Sequence, residues 1–101
     1  MNDYEFDKSK SELLRKERGL GFEEIIPLIE SGDVIDVYDH PDQQKHPGQS
    51  VYEVDVSGYV WRVPHIRKEN TIRLITCYPC RKATEKLNRK MENTNDNEKK
   101  H

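Results

Sequence analysis

The middle of the chain alternates apolar and polar residues around a two-residue turn, and this pattern constrains the fold more than any other feature. From Val51 to Val56, apolar and acidic residues alternate, as they do in a strand buried on one face. Ser57-Gly58 is a tight-turn signal, and the run from Tyr59 to Ile66 follows it. The pattern predicts a β-hairpin at the centre of an antiparallel sheet.

Further strands are expected on both sides of this hairpin. Val34–Tyr38 and Thr71–Tyr78 extend it to a four-stranded meander, and Tyr4-Glu5-Phe6 is expected to be an edge strand. Pro64 lacks a backbone N–H, so we expect a missing or bulged ladder position there. Short connections make consecutive strands antiparallel neighbours.

Helical patterns flank the strands. A first helix is expected from an N-cap at Asp7 to about Arg18, with Gly19 ending it. A second is expected over Phe22–Ser31, with Pro27 near its first turn because proline is costly in a helix interior. A third begins near Cys80. The predicted fold is α+β, a small antiparallel β-meander sheet with two N-terminal helices and one C-terminal helix.

Length and composition bound the domain organisation. The chain has 101 residues, enough for one domain, which we assign to residues 1–91. Residues 92–101 contain no apolar side chain and are expected to be a disordered tail. No apolar run is long enough for a membrane span, and the N-terminus resembles no signal peptide. Two cysteines make no disulfide framework, so a reducing cytoplasm is the expected location.

Charge is distributed unevenly along the chain. Residues 21–57 carry nine acids and one base, whereas residues 8–18, 58–79 and 80–91 each carry a net positive charge. If the basic segments share a face, that face can attract phosphate or an acidic partner. Ordinary solvated helix faces would explain the same charges equally well.

The candidate site residues come from the later strands and the last helix. A turn centred between Lys68 and Glu69 would set residue 62 opposite residue 75, so that Arg62 and Arg73 would share a face one diagonal step apart. Two like charges so placed destabilise a sheet unless an anion lies between them. The helix N-terminus at Arg81-Lys82 would add to this phosphate site. The nearest groups for proton transfer are expected to be His65 and Tyr78.

The cysteines suggest two other kinds of chemistry, redox and zinc binding. Cys77-Tyr78-Pro79-Cys80 has the CxxC spacing of redox proteins, but too little chain follows it for a thioredoxin fold. A zinc site would need His40 and His46 to fold over the end of the sheet towards both thiols. Two reduced thiols at a strand end are the expected state, with no metal and no cofactor.

Four segments resemble a known family. Glu5-Phe6-Asp7-Lys8-Ser9-Lys10 is similar to an opening Glu-Trp-Asp-Pro-x-Lys, and Leu14 to Glu24 is similar to Leu-Arg-Lys-His-Gly-Val-Ser-Phe-Glu-Glu. Asp39-His40-Pro41 is similar to an acidic loop start, and Arg81-Lys82-Ala83-Thr84 to an Arg-Lys-Ala-Thr that opens the last helix. In this order and spacing, the segments resemble the BrnT toxins of bacterial type II toxin–antitoxin pairs.

The resemblance implies a RelE/ParE-like fold and metal-free RNA cleavage that blocks translation. It also implies a cognate antitoxin with a DNA-binding domain, so that operator DNA is contacted only through the antitoxin. Lys8, Lys10 and Arg15 would then form a general electrostatic surface for RNA. The alternative is a non-catalytic RelE/ParE-like module that inhibits a protein target through its basic face.

Overall fold

The protein is an α+β structure, known here from a computed structural model that describes residues 3–99, with side chains for residues 3–90. Its elements, in chain order, are β1 (Asp3–Glu5), α1 (Lys8–Arg18), α2 (Phe22–Glu30), β2 (Val34–Asp39), β3 (Ser50–Val56), β4 (Tyr59–Lys68), β5 (Thr71–Leu74), β6 (Tyr78–Pro79) and α3 (Arg81–Lys99). The α+β class and the number of helices are as predicted. Among the described residues, no helix is both long and apolar enough to cross a membrane.

The sheet is mixed, which corrects the prediction of a purely antiparallel meander. Within the described residues it has six strands in the order β1-β5-β4-β3-β2, with β6 also paired to β4. The strand β1 pairs with β5 in parallel, and Asp3 N–H donates to the carbonyl of Asn70 at 2.8 Å. This pairing joins residues nearly seventy positions apart in the chain, so no local sequence pattern predicts it.

The central hairpin forms as predicted. Val56 lies opposite Tyr59, and both Ser57 and Gly58 have positive φ, which the twist of such a hairpin requires. On the β3 side, β4 continues through Pro64 in unbroken register, with Pro64 opposite Val51. On its other side the ladder with β5 ends at His65 and resumes with β6 at Arg62, shifted by one residue, so the ladder is interrupted at Pro64 as predicted.

The predicted fourth strand, Thr71–Tyr78, is divided in the structure. β5 ends at Leu74, and a separate strand β6 begins at Tyr78. The break has a packing reason: the Cys77 side chain is fully buried in the core, and Arg18 donates a 2.7 Å hydrogen bond to the Cys77 carbonyl. The chain therefore leaves the ladder between the two strands so that Cys77 can fill the core beside α1.

The helices begin and end largely for local reasons. Asp7 caps α1 by accepting from Lys10 N–H at 3.1 Å, and Gly19 ends it with φ +94°, both as predicted. Pro27, however, is the sixth residue of α2 and not in its first turn. It is exposed, so the carbonyl that its missing N–H leaves without a helical donor can be hydrated.

The two faces of the sheet are covered differently. Helices α1 and α2 pack on one face, where their Leu14, Phe22 and Ile25 join the buried residues Tyr52, Val54, Trp61, Val63, Ile72, Leu74 and Cys77. The other face is only partly covered, by the first turns of α3. Helix α3 runs to Lys99, but its side chains from residue 91 onward, and residues 100–101 altogether, lie outside the described part of the chain. The disordered tail expected over residues 92–101 therefore stays a prediction.

Candidate functional site

A cleft lies on the half-covered face of the sheet, between β2 and β3 on one side and α3 on the other. It consists of two adjoining depressions of about 420 and 240 Å³. They share the lining residues Asp36, Glu53, Ala83 and Lys86. The larger depression adds, among others, Arg62 and Lys82, so cationic side chains from a strand and from a helix face the same space.

The floor of the larger depression holds a hydrogen-bonded cluster of three side chains. Glu53 lies directly opposite Arg62 across β3 and β4, and Arg62 Nε contacts Glu53 Oε2 at 3.1 Å. The Tyr38 hydroxyl donates to the same oxygen at 2.9 Å. Because Glu53 contacts the guanidinium through Nε, the two outer nitrogens of Arg62 are left as further donors that suit the binding of an anion.

The cluster also shifts proton affinities. Burial, and then the hydrogen bond to Glu53, raises the pKa of Tyr38 to about 12. Burial alone would lower the pKa of Arg62, but the Tyr38 and Cys80 groups and the Glu53 carboxylate outweigh it and raise that pKa. Near neutral pH, Tyr38 is therefore a neutral donor and Arg62 a fixed cation.

The start of α3 is anchored to β4, and this fixes the lysines of the cleft. Thr84 is buried, and its hydroxyl both accepts from Val60 N–H and donates to the Cys80 carbonyl, each at 2.8 Å. Ala83 packs beside it. Lys82 and Lys86, four residues apart on α3, consequently project on one side into the cleft.

Of the predicted site residues, Arg62, Tyr78 and Lys82 come together. Tyr78 in β6 is paired directly opposite Arg62 in β4, so the two side chains lie on the same face of the sheet. Tyr78 is also close enough to Tyr38 for its charge to affect the pKa of Tyr38. Arg81 is exposed at the first position of α3, and neither Arg81 nor Tyr78 is among the residues lining the two depressions.

Arg73 is separated from this group, because the predicted register is wrong. The turn is centred one residue later, between Glu69 and Asn70, with Lys68 opposite Thr71, so Arg73 lies opposite Ile66. It still shares the face of Arg62 but lies four residues further along β4, not one diagonal step away. There Arg73 is exposed and forms an ion pair with Glu5 at 3.6 Å.

His65 lies on the opposite face of the sheet from the cleft. It is 2% exposed, and its ring stacks on Tyr52 with centroids 3.9 Å apart. Its Nδ1 donates to the Val63 carbonyl at 3.0 Å. Burial lowers the pKa of His65; the hydrogen bond to the Val63 carbonyl offsets part of this effect, and the nearby Arg67 lowers the pKa by a smaller amount. The imidazole is thus a neutral core group in this structure.

Of the three residues predicted to form an electrostatic surface on α1, two are exposed and one is held in ion pairs. Lys8 and Lys10 are exposed. Arg15, by contrast, forms ion pairs with Glu23 at 2.9 Å and Glu24 at 2.8 Å, which tie α1 to α2. Arg15 would have to leave both carboxylates to contact a phosphate.

The cysteines and the loop histidines are not among the residues that line the two depressions. Cys77 is fully buried, and burial raises its pKa to about 11, so it is a poor nucleophile. His40 and His46 stack on each other with centroids 4.2 Å apart. Within the described residues, no group of three or more His, Cys, Asp or Glu side chains is arranged to hold a metal ion.

Sequence reasoning did not identify Tyr38, Glu53 and Lys86 as site residues. One signal was available: once Ser57-Gly58 is taken as a two-residue hairpin loop, residue 53 must lie opposite residue 62, which pairs Glu53 with Arg62. Tyr38 depends on the pairing of β2 with β3 across a ten-residue loop, and no sequence pattern fixes that register.

No protein-family model, no curated protein and no solved structure matches the chain. The resemblance to BrnT toxins therefore rests on the four sequence segments.

Proposed function

We propose that the chain is the toxin of a bacterial type II toxin–antitoxin pair and cleaves RNA at the cleft between the sheet and α3. The proposal combines the sequence resemblance to BrnT toxins with the grouping of Arg62, Lys82 and Lys86 around one space. In this view the fold is a RelE/ParE-like variant in the cytoplasm. The cognate antitoxin would occupy the toxin and carry the DNA-binding domain that contacts the operator.

The observation that carries the proposal is the orientation of Arg62 by Glu53. An arginine held through Nε at 3.1 Å presents a preorganised pair of donors to a phosphate, and such donors stabilise developing charge without reorganisation. The two lysines of α3 add positive charge on the opposite wall, where an RNA backbone would lie.

The proposed reaction is an internal transesterification. The ribose 2′-oxygen forms a bond to the adjacent phosphorus while its proton passes to Glu53. The bond from phosphorus to the 5′-oxygen breaks while Tyr78 donates a proton to that oxygen. Arg62 stabilises the doubly charged phosphorane. The products are a 2′,3′-cyclic phosphate and a 5′-hydroxyl. Glu53 takes the place that sequence reasoning gave to His65, because His65 lies on the opposite face.

The test is incubation of the purified protein with RNA and with DNA of the same sequence. We expect the RNA to be cut, with cyclic-phosphate ends, and the DNA to remain intact because it lacks the 2′-hydroxyl. Induced expression should arrest bacterial growth, and co-expression of the neighbouring open reading frame should relieve the arrest. Normal growth at confirmed expression contradicts the toxin assignment. Growth arrest without cleavage favours the non-catalytic binding module instead.

A further inference from the structure

The outer edge of β2 is an exposed strand edge with an apolar surface. Among the described residues, β2 pairs with β3 and with no second strand. Ile35 and Val37 on this strand are 42% and 54% exposed, unusual values for large apolar side chains. The register of β2 with β3 shifts between Val34 and Asp36, and the edge is regular from Asp36 to Asp39. Exposed edges are templates for pairing with another polypeptide, and natural proteins usually protect them.

The backbone of β2 presents hydrogen-bonding groups to solvent at defined positions. His40 N–H donates towards β3, to the Gln49 carbonyl at 2.9 Å. Since backbone groups alternate along a strand, the N–H and C=O of Val37 and Asp39 must point outward. The Val37 N–H is occupied by the Asp36 side chain, whose Oδ1 accepts from it at 2.8 Å. Asp36 thus stands where the carbonyl of an added strand would lie.

The charge of this edge selects the kind of strand it can accept. Residues 33–42 include four aspartates, Asp33, Asp36, Asp39 and Asp42, and no lysine or arginine. A second copy of this chain would bring its own aspartates against these across a two-fold axis, and like charges on paired strands are destabilising. A strand with basic side chains would instead find carboxylates on both sides of Val37.

We propose that β2 is a docking edge for an extended, basic segment of a different protein, which adds a strand to the sheet. The carbonyl of that segment would replace Asp36 at the Val37 N–H. The released carboxylate would pair with a lysine or arginine of the segment, and apolar residues would cover Val37 and Ile35. This interaction does not depend on the cleft cutting RNA.

The test uses a synthetic peptide that alternates lysine and valine over eight residues, added to the full chain and followed by NMR and hydrogen exchange. We expect binding, with new protection of the Val37 and Asp39 amides. Val37→Pro removes the outward N–H without removing a ladder bond, so we expect the peptide to bind about tenfold more weakly. Val37→Thr keeps the N–H and should bind within about threefold of the wild type. Circular dichroism confirms that both variants are folded.

Two control peptides test separately whether binding needs the backbone ladder and the basic charge. A peptide methylated on alternate backbone nitrogens cannot form the ladder, and a glutamate–valine peptide carries the wrong charge, so neither should bind. Equal binding of either peptide, equal binding to Val37→Pro, or no protection along β2 overturns the proposal. Self-association of the chain that Val37→Pro abolishes also overturns it, because the edge would then pair with a second copy.

Discussion

The Tyr38 hydroxyl and Oε2 of Glu53 are 2.9 Å apart, although fifteen residues and a turn of the chain separate them. The same carboxylate oxygen contacts Arg62, so one glutamate joins three consecutive strands of the sheet. The functional arrangement of the cleft is therefore a property of strand pairing, and it can be tested by removing its members one at a time.

Glu53 and Tyr38 are expected to affect cleavage to different extents. Glu53→Gln removes the proton acceptor and the charge that fixes Arg62, so we expect kcat to fall about 10²-fold or more. Tyr38→Phe removes only the donor that holds Glu53, so the loss should be about tenfold at most. Rates on a defined RNA substrate measure both effects. A larger loss for Tyr38→Phe than for Glu53→Gln would mean that Tyr38 itself exchanges the proton.

Ser11 is expected to matter for stability well beyond its size. It is fully buried, accepts from Phe22 N–H at 2.8 Å and donates to Glu23 at 2.6 Å, so it joins α1 to the start of α2. Ser11→Ala leaves the Phe22 N–H without its acceptor, which should cost about 1–3 kcal/mol in the free energy of unfolding.

The exposed Ser9 on the same helix is the matched control for this variant. Ser9→Ala should change the free energy of unfolding by no more than about 0.5 kcal/mol. Urea denaturation measures both variants. If the two substitutions have equal effects, the buried hydrogen bond of Ser11 does not stabilise the helix pair.

His65 is expected to make stability depend on pH. Its pKa is lowered in the folded protein from an ordinary value of 6.5, so below that pH the unfolded chain binds a proton that the folded chain resists. Stability from this group is fully present above pH 6.5 and decreases as the pH falls towards the folded pKa.

His65→Phe keeps an aromatic ring against Tyr52 but cannot be protonated. Urea denaturation at a series of pH values should show a flatter acid-side decrease for this variant than for the wild type. Parallel decreases in the two proteins would show that His65 does not cause the acid sensitivity.

Local signals in the sequence were enough to predict most elements of the fold. The Asp7 cap depends on a side-chain acceptor, and the Gly19 helix end and the Ser57-Gly58 turn depend on positive φ, which few residue types adopt. Each lies where the sequence placed it. Non-local features were not predictable in the same way. The parallel β1–β5 pair and the insertion of Cys77 into the core depend on packing between distant segments, which no neighbouring residue specifies.

The same contrast between local and non-local features explains why only part of the candidate site was predicted. Arg62, Tyr78 and Lys82 were selected by residue type. They lie together because each belongs to a strand or helix that the sequence pattern located. Arg73 was placed beside them through an assumed turn centre, and a small change in that centre moved it to the far end of β4. Register errors displace side chains by several ångströms, whereas errors at helix ends hardly move a site.

The most direct test of the account compares RNA cleavage by Arg62→Ala and Arg73→Ala. Both substitutions remove one arginine from the same face of the sheet, but only Arg62 lines the cleft with Lys82 and Lys86. We expect kcat to fall about 10²–10³-fold for Arg62→Ala. Arg73→Ala, which loses an exposed ion pair, should stay within about twofold of the wild type. A large loss for Arg73→Ala with full activity in Arg62→Ala would contradict the assignment of the cleft.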